Sequence, residues 1–321
     1  MGKIFKRAGI KLSTLIIAIV VFGVMFSTVG ATLLFGVFYE RTMFNSAYVS
    51  SKQSVSQANG TVSNYISSIK NKLDNLCDEA DSCDSLQSLE KVVSTAARVE
   101  DDIYCVTIYD TDGNILLTEN DSGDIAKKNA TDLSFDKSIF SSLKDGYAIT
   151  QPHVDTLYEN KYPWVVTIAK KKYSDLFQKQ VFVAVNFEFI SIAKYIDKIS
   201  IGQRGYCYIV DSKGGIVYHP QQQILFSGIK KENTDEVSEM TDGVHRGEDN
   251  IYTVSSLNSC NWKIVGVSFT DEVAQSVKRQ IAVGMAVALL FSLIISVTVY
   301  FLLSRTVTRP VRRLVSSMQS F

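Results

Sequence analysis

The chain has 321 residues, room for about two domains, and carries 33 basic against 33 acidic side chains. That balance excludes a nucleic-acid partner held by net positive charge, and no basic, aromatic-studded stripe supplies one locally. The apolar residues, 46% of the total, are crowded toward the two ends.

The first crowded segment is "LSTLIIAIVVFGVMFSTVGATLLFGVFY", uncharged from Leu12 to Tyr39. A helix needs about 20 such residues to cross a ~30 Å hydrocarbon core. The run is also far longer than the ~7–15 apolar residues of a signal peptide. It predicts a transmembrane helix over 12–39. A second uncharged run, "QIAVGMAVALLFSLIISVTVYFLLS", predicts another over 281–304. Lys3, Lys6, Arg7 and Lys11 precede the first helix, and Arg305, Arg309, Arg312 and Arg313 follow the second. The positive-inside rule then puts residues 1–11 and 305–321 in the cytoplasm and 40–280 outside the plasma membrane. The lipid bilayer is thus an expected partner.

From Val55 the apolar positions run Val55, Ala58, Val62, Tyr65, Ile69, Leu73 and Leu76, close to a heptad. They predict a helix over 40–80. Two uses fit, and both can hold along one long helix: packing on its own domain, and a stalk whose membrane-near half pairs with a second copy in a homodimer. "CDEADSCDS" ends it, and Cys77 and Cys83 there can close a small disulfide in an oxidising compartment. Cys105 and Cys207, on later strands, read as small buried apolar residues. Neither the five cysteines nor the three histidines have metal-ligand spacing, so no metal is expected.

Beyond the helix the chain writes one hairpin twice, "IYDTDGNILLT" at Ile108–Thr118 and "IVDSKGGIVYH" at Ile209–His219. Asp110 matches Asp211 and Gly113 matches Gly214, placing a side-chain acceptor and a positive φ where a tight turn needs them. His219 and Pro220 read as the structural end of the second hairpin. After the first hairpin come "DGYAITQPHV" and a Trp164-led strand, then "VFVAVNFEFI"; after the second come "EDNIYTVSSL" and a Trp262-led strand. Trp164 is therefore matched with Trp262. The repeat predicts an α+β fold of two tandem modules of one kind, a membrane-distal one over 81–195 and a membrane-proximal one over 196–278.

This arrangement resembles the double Cache (dCache) sensors, whose modules are PAS-like. "QPHVDTLYENKYPWVVTIAKK" (Gln151–Lys171) and "IGQRGYCYIVDSKGGIVYHPQQQIL" (Ile201–Leu225) resemble, more narrowly, the YesM-type sensor histidine kinases. The tail "SRTVTRPVRRLVSSMQSF" has Pro310 at a helix start and a heptad seam at Val311, Leu314, Met318 and Phe321. It is similar to the start of a HAMP linker. The resemblance implies a homodimer and a cytoplasmic kinase output acting on a response regulator. His153, His219 and His245 all lie outside, and no phosphate-binding loop, catalytic group or cofactor motif stands in these residues. A chemoreceptor, a cyclic-dinucleotide enzyme and a receptor fragment without output share the same outer module.

In that family the distal module holds a small solute, and its amino-acid-binding branch uses an Arg, a Trp-Tyr pair, a further Tyr and a strand Asp. Here "TDLSFDKSIFSSLKDG" has neither Arg nor Trp, His153 stands near the Tyr position, and Asn186 stands at the Asp position. A neutral amide cannot balance an ammonium group, so the expected ligand is a sugar or another neutral metabolite. The candidate contacts are Tyr109, Tyr147, Thr150, His153, Tyr158, Trp164, Thr167 and Asn186.

Overall fold

A computed structural model describes residues 12–99, 102–120, 122–124, 126, 143, 146–221 and 232–310. The HAMP-like seam from Val311 onward, and nearly all of the "TDLSFDKSIFSSLKDG" segment, lie outside them. The chain divides into two compact units, 48–269 and a second one formed by the terminal segments.

In the first unit, α1 (Leu12–Asp81, whose residues from Tyr48 belong here) leads into α2 (Leu86–Val99). Strands β1 (Ile103–Asp110), β2 (Ile115–Asn120), β3 (Tyr147–Ile149), β4 (His153–Val154), β5 (Trp164–Ser174) and β6 (Lys179–Glu188) follow. Helix α3 (Phe189–Ile196) leads to β7 (Tyr206–Asp211) and β8 (Ile216–Tyr218). After α4 (Thr234–Glu239) come β9 (Gly243–Arg246), β10 (Asn250–Ser256) and β11 (Trp262–Phe269). All pairings are antiparallel, in two sheets: β2-β1-β6-β5-β3, with β4 also on β5, and β8-β7-β11-β10-β9. Counted from its hairpin, each sheet has the same strand order.

That order corrects the alignment drawn from tryptophans. The last strand of the first sheet is β6, so "VFVAVNFEFI" is the counterpart of the Trp262 strand, and the Trp164 strand corresponds to β10. The hairpins themselves do repeat in the backbone bonds of their turns. Asp110 Oδ1 accepts from Asp112 N at 3.0 Å and Asn114 N at 2.8 Å. Asp211 Oδ1 accepts from Lys213 N at 2.8 Å and Gly215 N at 2.7 Å. Gly113 and Gly214 sit at φ 84° and 81°, where a Cβ would be strained.

Asp110 is nearly buried, which on its own raises a carboxyl pKa, but the Asn114 side chain and the turn N–H groups outweigh that and hold it low. A depressed folded value stabilises above the unfolded pKa of about 4 and is lost as pH falls through the folded one. Asp110→Asn keeps the turn acceptor and loses the charge. Its melting temperature should lie below wild type at pH 7, with the gap closing as pH drops below about 4. A gap independent of pH would contradict this.

The predicted heptad residues Val55, Ala58, Val62, Tyr65, Ile69, Leu73 and Leu76 are all buried in one core. They meet Val106, Ile108, Val166, Ile168 and Phe187 of the first sheet, and Ile209 and Ile264 of the second. Each fully buried aliphatic side chain is worth about 1.5–3 kcal/mol. The seam from Val55 to Leu76 is buried inside its own domain. Asp74, on the same helix, accepts from Tyr147 Oη at 2.6 Å and Lys170 Nζ at 2.6 Å, tying α1 to the strand edge. Burial pushes its carboxyl upward, and those two hydrogen bonds pull it below the ordinary range.

All five cysteines are free thiols. Cys77 lies on α1, is buried, and burial raises its thiol to about 11. Cys83 donates to Glu79 O at 3.5 Å instead of joining Cys77. Cys105 and Cys207 are both buried, on corresponding strands, but they face opposite sides: Cys207 joins the α1 core and Cys105 does not.

The second unit holds the start of α1 and helix α5 (Thr270–Leu303), which ends in a π-helical segment, Ser304–Thr308. Both helices are long and apolar enough to cross a membrane. Phe22 and Phe301 are each 72% exposed, so this surface needs an apolar surrounding. Gly36 leaves room for Ile281, whose Cδ1 would lie 3.1 Å from a Cβ there.

Candidate functional site

On each sheet one face is taken by α1, and the alternation of strand residues decides what the other face presents. The register aligns Asn120, Cys105, Asn186 and Thr167 in one row across the first sheet, and Thr150 continues it by donating its N–H to Thr167 O at 3.0 Å. Asn120, Asn186, Thr167 and Thr150 are polar, Cys105 adds a thiol, and every one is buried. The matching row of the second sheet reads Tyr206, Val267, Tyr252. Large side chains fill there the space that the first sheet leaves to polar groups.

Buried polar groups must be paired, and the row is. Thr167 Oγ1 donates to Asn186 Oδ1 at 2.6 Å, and Asn186 Nδ2 donates to Asp155 Oδ2 at 2.6 Å. Asp155 Oδ1 accepts from Leu157 N at 2.7 Å, and the Cys105 thiol reaches Oδ2 at 3.7 Å. Thr150 Oγ1 accepts from Thr167 N at 2.9 Å and lies 3.3 Å from His153 Nδ1. His153 Nε2 stands 3.5 Å from Thr167 Oγ1. At the other end Thr107 and Thr118 share a hydrogen at 2.9 Å, and Thr118 meets Tyr158 Oη at 3.0 Å. Burial first, and the nearby Asp155 second, push the Cys105 thiol well above its ordinary value; burial likewise raises Tyr158.

Asp155 is 5% exposed, and among the described residues no cation stands within ion-pair distance of it. Three hydrogen bonds soften the cost of burying this carboxyl, and none of them comes from a cation among the described residues.

The structure thus gathers five predicted residues, Thr150, His153, Tyr158, Thr167 and Asn186, around one network. Tyr109 shares their face of the sheet: its ring packs with Ala148, Ala169, Phe182 and Ala184, and its hydroxyl meets Thr107 at the edge of the network. Tyr147 turns to the opposite face, toward Asp74. Trp164 is half exposed at the start of β5 and joins no part of the network. Sequence reasoning missed Asp155. Its signal was present: an acidic residue two positions after His153, in the segment quoted for its resemblance. The expectation of a neutral ligand rested on the Asn186 amide, and the charge it lacks stands 2.6 Å away on Asp155.

Among curated proteins the chain is similar to the methyl-accepting chemotaxis protein McpA of Bacillus subtilis (strain 168). The two are 26% identical over 141 residues, 42% of this chain and 21% of that protein, so the chain matches about a fifth of the relative's length. Among solved structures it shares the fold of the ligand-binding domain of the Campylobacter jejuni chemoreceptor Tlp3 in complex with L-valine (TM-score 0.57, 14% identity, 74% of this chain and 98% of that one). It also shares the fold of the Pseudomonas aeruginosa amino-acid chemoreceptor PctC domain in complex with GABA (TM-score 0.51, 12% identity, 65% and 94%). The Cache domain model dCache_1 matches residues 40–277, well over half of the sequence, and the chain belongs to that family.

Proposed function

We propose that this chain is the sensing part of a membrane receptor, and that the polar row of the first sheet binds a small solute bearing an ammonium group. The observation that carries the reading is Asp155, a buried carboxylate without a cationic partner among the described residues, set beside Asn186, Thr167 and His153. An ammonium ion brings the missing charge and up to three donors. L-valine and GABA, in the complexes named above, each carry that group.

In this reading the two sheets are tandem modules outside the membrane, the first distal and the second proximal, with both termini cytoplasmic. Binding favours one of two arrangements of a homodimer, and the second membrane helix passes the change to a HAMP-like segment. The ligand biases the output only through its differential affinity for the two states, typically about 1–3 kcal/mol. The named relatives favour a chemoreceptor output; the segments Gln151–Lys171 and Ile201–Leu225 favour a histidine kinase acting on a response regulator. ATP-dependent self-labelling of the native receptor supports the kinase, and methyl labelling the chemoreceptor.

The ligand class is tested by calorimetry on the full chain in lipid nanodiscs, titrated singly with the common amino acids, GABA, simple primary amines and neutral sugars. Saturable heat from an amine-bearing member, and none from the sugars, is expected. Binding of sugars alone would overturn the ammonium reading and restore the neutral one.

A further inference from the structure

The two hairpins differ at one telling position. In the first, Asn114 Nδ2 donates to Asp110 Oδ2 at 3.0 Å, so the turn closes on itself. In the second the equivalent residue is Gly215, which has no side chain to offer. Asp211 Oδ2 instead accepts a hydrogen bond from Gln151 Nε2, which belongs to the other sheet's loop between β3 and β4. Asp211 is itself buried, and its Oδ1 is occupied by its own turn.

Gln151 stands between two residues of the polar network, Thr150 and His153. Thr150 precedes it, and its own carbonyl lies 3.1 Å from His153 Nδ1. The same short loop then runs through β4 to Asp155. A charge-assisted bond is among the stronger ones available to a neutral side chain. It is anchored here to a turn that is rigid by its own backbone bonds.

From this geometry we infer that Gln151 is a positioning residue: through Asp211 it holds the Thr150–Asp155 loop in place against the second sheet, and the loss of a side chain at Gly215 is what frees Asp211 for the task. Ordering of the loop by a solute is then felt at the β7–β8 hairpin, and strain at that hairpin is felt in the solute site. The inference deepens the proposed sensing role, yet its test needs no ligand, so a failed titration and a failed coupling remain separate results.

The test is amide hydrogen exchange on the full chain in nanodiscs, read at Asp155 and Leu157, whose N–H groups bond to Pro163 O and Asp155 Oδ1. Gln151→Ala should lower their protection about tenfold. Gly215→Asn should do the same from the other sheet, because its amide competes for Asp211 Oδ2 as Asn114 does for Asp110. A Cβ there would lie 2.6 Å from that oxygen, so the carboxylate must yield slightly, as the first hairpin shows an asparagine can be housed. The double variant should lose no more than either single one, and Gln151→Lys, which still donates to the carboxylate, should retain protection. Unchanged exchange in Gly215→Asn, or losses that multiply in the double variant, would overturn the coupling. A fall confined to Gln151→Ala would mean a purely local role and overturn it equally.

Discussion

If the proposed ammonium-bearing solute binds at Asp155, Asp155→Asn should weaken its binding by at least about 30-fold, the lower end of the roughly 2–5 kcal/mol that follows loss of one partner of a buried charge pair. The folded site survives the change. Asn186 can turn its amide so that Oδ1 accepts from the amide introduced at position 155 and Nδ2 donates to Thr167 Oγ1, which preserves the chain of hydrogen bonds. The unliganded variant should melt no lower than wild type, because the change removes a buried carboxyl that no cation among the described residues pairs. The exchange Asp155→Asn with Asn186→Asp puts the charge back 2.6 Å from where it stood and should recover part of the affinity. The same titration checks both variants. Wild-type affinity in Asp155→Asn would remove the carboxylate from recognition, and a large fall in melting temperature would assign Asp155 a structural role instead.

A large effect on stability is expected at Gly266, in the middle of β11 beneath α1. A Cβ there would lie 2.5 Å from Val55 Cγ2 and closer still to Ile201 Cδ1. Both are buried, and β11 is held by strands on each side, so neither the helix nor the strand can retreat freely. Overpacking of such a site costs about 1–3 kcal/mol. At about 2–4 °C per kcal/mol for a unit of this size, Gly266→Val should lower the melting temperature of the full chain by about 5 °C or more. Val55→Ala alone leaves a cavity, whereas Val55→Ala with Gly266→Ala moves a methyl group from one wall to the other. The pair should be less harmful than the sum of its parts by about 1 kcal/mol, as expected for residues in contact. Additive losses would show that helix and sheet do not meet there.

The seam Val55–Leu76 illustrates how far a pattern carries. Its period marks the helix and the buried stripe correctly, but period alone is the same for a helix on a sheet and a helix on its twin. The distinction needed the partner surface, which is built from Val106, Ile168, Phe187 and Ile264, far away in sequence. The tryptophan alignment failed for a related reason. Trp164 and Trp262 each open a β-rich run, yet strand order comes from pairing across the sheet, and pairing put the two on non-equivalent strands.

Legible in the residues alone were the two apolar spans, the long helix between them and the first sheet, the repeated Asp-x-x-Gly hairpins, and the polar, aromatic character of the first module. Each of these is set by local chemistry: uncharged length, helical period, or a turn that demands an acceptor and a positive φ. Which polar residues meet was settled only in the folded chain. Cys105, Asn186 and Thr167 become neighbours because the register of β1, β6 and β5 puts them in one row. Asp155 joins them because its loop folds back over that row, and Gln151 reaches Asp211 because the two sheets share one helix. Strand register is fixed by which faces become buried, a property of the whole sheet that no single segment contains.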